Sequence, residues 1–144
     1  MNYLLDTCVI SELIRKSPAQ SVVKWLRGTS STSQYLSAIT LGEIHKGIAR
    51  LDPGDSRRVL LADWLESIRR RFASRIIPFD EDTSMTWGEL MGDALRNGRP
   101  KPLVDAQIAA TALRHGMTLV TRNMRDMADF GVVLFNPFEE RGLL

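Results

Sequence analysis

The sequence predicts an α/β fold on a largely parallel sheet of five strands. Two observations carry this expectation. Short apolar runs alternate along the chain with longer stretches that are apolar on one helical face. No internal repeat, low-complexity tract or linker interrupts the pattern, which suits one domain spanning residues 1–144.

The elements follow in order. Tyr3-Leu4-Leu5 is a short strand, and Cys8 to Arg15 reads as a helix. A second short helix covers Ala19 to Leu26, and Gln34 to Ser37 forms the second strand. Thr40 to Leu51 is helical, with Leu41, Ile44, Ile48 and Leu51 on one face. Asp52-Pro53-Gly54-Asp55 breaks the chain. Ser56 to Phe72 is then a long amphipathic helix, whose Trp64 and Phe72 serve either the core or a groove for a partner helix. Arg75-Ile76-Ile77 is the third strand, stopped by Pro78, and Glu81 to Arg96 is helical. After the loop 97–102, Val104 to His115 forms a helix ending at Gly116, a C-cap residue. Thr118 to Thr121 and Val132 to Phe135 complete the strands.

Composition narrows the chemistry. The chain is 44% hydrophobic and 25% charged, ordinary for a globular protein with a real core. No run approaches the roughly 20 apolar residues of a membrane span. The N-terminus lacks a basic region followed by a long apolar core, so a cytoplasmic protein is expected. Cys8 is the lone cysteine, which excludes an internal disulfide. Only His45 and His115 are available for a histidine-based zinc site. Any bound metal must therefore be held by oxygen, which favours Mg²⁺ or Mn²⁺. Fifteen of the 19 basic residues are arginine. Guanidinium suits phosphate oxygens, though a GC-rich genome would enrich arginine equally.

Three acids stand out. In parallel α/β folds, sites form at the carboxyl ends of strands. Asp6 directly follows the first strand, as N-cap of the next helix or as a metal ligand. Glu43 completes a capping box with Thr40 as N-cap, or is a ligand one turn into that helix. Asp105 shares a helical face with Ile108, Ala109 and Ala112, which turns a carboxylate inward. Beyond the fourth strand lie Thr121, Arg122 and Asn123, able to hold a phosphate oxygen or water, and then Asp126 and Asp129. Carboxylates gathered at one place repel each other unless divalent cations sit between them.

The segments that carry these residues are Leu4 to Glu12, Leu36 to Glu43, Asp105 to Ala112 and Leu119 to Asn123. In that order they resemble the PIN-domain family, most closely its VapC and FitB branch of toxin–antitoxin toxins. Ile77-Pro78-Phe79-Asp80 and Phe135-Asn136-Pro137-Phe138 resemble the FitB side. The resemblance implies a three-layer α/β/α sandwich, dependence on Mg²⁺ or Mn²⁺, and endoribonuclease activity. It also implies an antitoxin that blocks the site and binds operator DNA, and it suits a homodimer. Asp6, Glu43 and Asp105 match the family's three core acids. The fourth acidic position falls to Asn123 or, as the nearest acid, to Asp126. Cys8 departs from the asparagine common after Asp-Thr. Thr7, Thr121, Arg122 and Asn123 are expected to contact substrate.

Rival readings fit less well. A haloacid-dehalogenase-type phosphatase needs an acid where this chain has Cys8. A receiver domain needs a central phospho-acceptor Asp that is not apparent. A non-catalytic partner of a DNA-binding antitoxin would require neither the metal nor the three acids.

Overall fold

The protein is described by a computed structural model covering residues 1–139. Positions 140–144 of the expected domain lie outside the described residues. Five parallel strands form one sheet in the order β3-β2-β1-β4-β5. They are β1 (Tyr3–Leu5), β2 (Gln34–Ser37), β3 (Ile76–Ile77), β4 (Thr118–Val120) and β5 (Leu134–Phe135). The expected largely parallel sheet is wholly parallel among these residues.

Strands buried on both faces are apolar at consecutive positions rather than at alternate ones. Leu4 and Leu5 are both fully buried, and so are Leu119 and Val120. Leu5, Leu36 and Val120 face one layer, built on α1 (Thr7–Glu12), α2 (Gln20–Gly28), α3 (Ala38–Ala49) and α4 (Arg57–Arg71). Val9, Ile10, Val22, Ile44, Ile48, Leu65 and Ile68 fill that layer, with Phe72 closing it. Phe72 is buried, so the expected core role is the one observed. Leu4, Ile77 and Leu119 face the opposite layer, formed by α5 (Glu81–Arg96) and α6 (Leu103–Arg114). The small Ala106, Ala109 and Ala112 let α6 lie close to the sheet, beside Ile108. The result is a three-layer α/β/α sandwich.

Two expectations need correction. The helix bearing Glu43 begins at Ala38, not Thr40, and Ser37 is its N-cap, accepting a hydrogen bond from the Ile39 N–H at 3.0 Å. Thr40 therefore caps nothing and is fully buried inside the first turn. The segment after β4, for which no element was expected, contains the short helix α7 (Met124–Met127) and a 3₁₀ turn, Ala128–Phe130. Met127 and Phe130 pin it to the core. Gly116 does end α6 as expected, with φ +63°, a backbone state that glycine adopts freely. No helix among the described residues is long and apolar enough to cross a membrane.

Candidate acidic site at the carboxyl ends of the central strands

Strand order reverses between β1 and β4, and the crevice beyond their carboxyl ends is where ligands bind in open parallel sheets. Asp6 leaves β1 there, and its N–H donates to the Val120 carbonyl at 2.9 Å, extending the pairing with β4 by one residue. Asp6 also caps α1: its Oδ1 accepts from the Thr7 N–H at 2.8 Å. Its Oδ2 accepts from the Thr121 hydroxyl at 2.8 Å. The two roles foreseen for Asp6, cap and site acid, are thus compatible in one side chain. Burial pushes its carboxyl pKa up, against the pull of the bonds from Thr121, Thr7 and Cys8.

Thr121 is fully buried and holds the corner together. While donating to Asp6, its Oγ1 accepts from the Asn123 N–H at 3.0 Å. Thr7 links α1 to α3 through its hydroxyl, 3.4 Å from that of Thr40. Glu43 lies one turn beyond Thr40 on α3 and accepts from Lys46 at 3.2 Å.

Asp105 occupies the first turn of α6, half-buried, with no hydrogen bond or ion pair among the described residues. Burial raises its pKa, and so do the charges of Asp6, Asp126 and Glu43, in that order. Lys101 pulls it down. Three acids from separate segments thus act on the Asp105 carboxyl. Asp126 supplies the fourth charge, whereas Asn123 caps α7 and engages through its backbone.

The other expected substrate contact is placed differently. Arg122 stacks on Phe138, its guanidinium 3.7 Å from the ring centroid, and reaches Glu12 at 4.0 Å. Only the guanidinium's exposure to solvent leaves it accessible to a phosphate.

No site role was expected of three further neighbours. Cys8 Sγ lies 3.9 Å from Asp6 Oδ2 and 3.5 Å from the Arg122 N, and burial beside Asp6 keeps it a neutral thiol. Its place two residues after Asp6 was the available signal. Glu12 is buried and accepts from the Ala19 N–H at 2.8 Å, fixing the turn into α2. Lys101, held between two prolines four residues before Asp105, is the cation that opposes the raised pKa of that acid.

Among the described residues, no three His, Cys, Asp or Glu side chains are drawn together into a finished ligand set. Mutual repulsion opposes closer approach of bare carboxylates. The donors present are nonetheless suited to a hard divalent cation. They are all oxygen, and Asp105 and Asp126 have no hydrogen-bond or ion-pair partner among the described residues.

The PIN domain family model matches residues 3–132. The toxin FitB of Neisseria gonorrhoeae is 39% identical over 95% of this chain and 99% of its own. The VapC ribonuclease Y4jK of Sinorhizobium fredii is 36% identical over 94% of this chain and 97% of its own. A solved structure of FitAB bound to an IR36 DNA fragment superposes with a TM-score of 0.87 at 38% identity, covering 99% of both chains. With its central acids, its parallel sheet and these matches along nearly the whole chain, the protein belongs to the PIN-domain family.

Proposed function

We propose that the chain is the toxin of a toxin–antitoxin pair and a divalent-metal-dependent endoribonuclease. The observation that carries this reading is the placing of Asp6, bound to Thr121 at 2.8 Å, at the crevice where β1 and β4 end, with Asp105 in the first turn of α6 close enough to feel the charges of Asp6, Asp126 and Glu43. Relatives named as toxin and ribonuclease support it.

Asp6, Asp105 and Asp126 would hold the cation, proposed to be Mg²⁺ with Mn²⁺ as a substitute, and Glu43 would position it. A divalent ion there would neutralise charge at the phosphate and acidify the attacking water. The protein's own groups do the rest. Thr121 fixes the Asp6 carboxylate by its hydroxyl, leaving no freedom to turn away from the crevice. The first turn of α6 presents free N–H groups beside Asp105. Arg122, when it leaves Phe138, meets the RNA backbone. The products are a 5′-phosphate and a 3′-hydroxyl.

An antitoxin would block this crevice, with contact to operator DNA made through that partner, as the DNA-bound FitAB complex suggests by likeness. A homodimer is part of the proposal, and exposed Met85 and Leu95 on α5 offer apolar surface for it. The site of action is the cytoplasm. The test is incubation of antitoxin-free protein with total RNA in Mg²⁺, Mn²⁺ or EDTA, beside Asp6→Asn. Discrete cuts that need metal and vanish in the variant are expected. Absence of cleavage by folded protein in either metal contradicts the reading.

A further inference from the structure

A half-open cavity of ≈ 570 Å³ lies between the end of α5, the loop 97–102 and the turn after α7. Its volume falls in the roughly 300–1,000 Å³ range of ligand sites. Its lining is divided by chemistry. Leu90 and Phe130 supply apolar surface, Asn97 an amide, Arg99 and Lys101 two cations, and Asp93 and Asp129 two acids, paired with Arg96 and Lys101 at 2.8 Å each.

The loop that presents them is fixed. Asn97, Gly98 and Arg99 N–H groups donate back to Asp93, Leu95 and Ala94 carbonyls at 3.0, 3.1 and 2.8 Å. Gly98 makes the turn at φ +67°. The Arg99 guanidinium has no hydrogen bond or ion pair within 4 Å among the described residues, and its charge acts on Asp129 across the cavity mouth. Lys101 is only 16% exposed, 2.8 Å from Asp129 Oδ2 and 5.9 Å from the Phe130 ring centre. Lys101 lines the cavity four residues before Asp105, at the entry to α6, so the cavity adjoins the turn that carries this acid, whose pKa the ammonium pulls down.

We propose that this cavity receives the nucleotide adjoining the cleaved phosphodiester of a single-stranded RNA. Its base packs on Leu90 and Phe130 with Asn97 at the edge, while Lys101 and Arg99 take the flanking phosphates. Single-stranded RNA is read in this manner, by apolar and stacking contacts to the base and cations along the backbone. Lys101 exchanges its ion pair with Asp129 for a phosphate oxygen, which draws the chain toward Asp105. The inference rests on the ribonuclease reading and extends it to a second patch of the surface.

The test uses the full chain in EDTA, titrated with each of the four nucleoside 5′-monophosphates and followed by ¹⁵N–¹H NMR. Amide shifts at 97–101 and 129–131 are expected, weakened about 5-fold or more by Arg99→Ala and untouched by the remote Arg57→Ala. With metal and RNA, Arg99→Ala should raise KM by about the same factor and leave kcat nearly unchanged. Unmoved cavity amides, or an unchanged KM in Arg99→Ala, overturn the subsite while wild-type cleavage upholds the ribonuclease. Shifts produced by an acidic hexapeptide and by none of the nucleotides overturn it too. Wild-type protein that cleaves no RNA in either metal defeats both readings.

Discussion

At the scale of single residues, Asp6 and Asp105 reach raised pKa values by different routes. Burial dominates for Asp6, where three hydrogen bonds resist it. For Asp105, burial is joined by three like charges and only Lys101 opposes them. A carboxyl raised by folding stabilises the fold below its ordinary value of 3.8, and that contribution is lost as pH climbs through the folded value. Near neutrality, the metal-free protein therefore bears uncompensated charge. Asp105→Asn should raise its melting midpoint there by about 2 °C, a sub-kcal/mol effect for a half-exposed group. The gain should shrink as pH falls through the raised folded value and be gone by about 3.8. Scanning calorimetry in EDTA at several pH values checks this, and a midpoint lowered at neutral pH contradicts it. By the same sign, protons compete with the cation, so cleavage at limiting metal should rise with pH and move to lower pH as metal is added. The inward turn of Asp105 was legible from its spacing to Ile108, Ala109 and Ala112. That Asp126 rather than Asn123 brings a charge to bear on Asp105 was not, because it depends on how a four-residue helix turns after β4.

At the scale of elements, the start of α3 shows where sequence patterns run out. Ser37-Ala38-Ile39-Thr40 offers two hydroxyl caps, and the Thr-x-x-Glu spacing favoured the second. The strand decides otherwise. β2 ends at Ser37, its backbone still extended, and the helix begins at once. Thr40 is released to face Thr7. Ser37→Ala should cost about 1 kcal/mol in urea unfolding, and no change in midpoint would contradict its cap role. α7 leaves no periodic mark in the sequence because four residues are too few to show a 3.6-residue period. The corner at Thr121 gives a second test. Thr121→Val removes the hydroxyl that joins Asp6 to the Asn123 N–H, and should cost about 1–3 kcal/mol of stability. It should also lower kcat about 10-fold or more, with Thr121→Ser restoring most of it. Loss of stability with full kcat would make Thr121 a packing residue alone.

At the scale of the whole molecule, alternation of strands and helices was enough to announce a parallel sheet with carboxyl-end chemistry. It did not contain the order of the strands. That order puts β1 beside β4 and so brings residue 6 to residue 121, across nearly the full chain. Asp105 and Asp126 then arrive on the elements that flank β4. The surface beside them carries Arg99, Lys101 and Arg122, so RNA binding should weaken steeply with salt, and a slope near zero in filter binding would contradict backbone contact. The central claim is that acids from these distant segments form one divalent-cation site. Mn²⁺ titration, followed by loss of the free-ion EPR signal, tests it most directly. The account predicts binding to the wild-type chain, weakened about 10-fold or more in Asp6→Asn and in Asp105→Asn, and preserved in the remote Asp55→Asn. Equal Mn²⁺ affinity in all four proteins would contradict it.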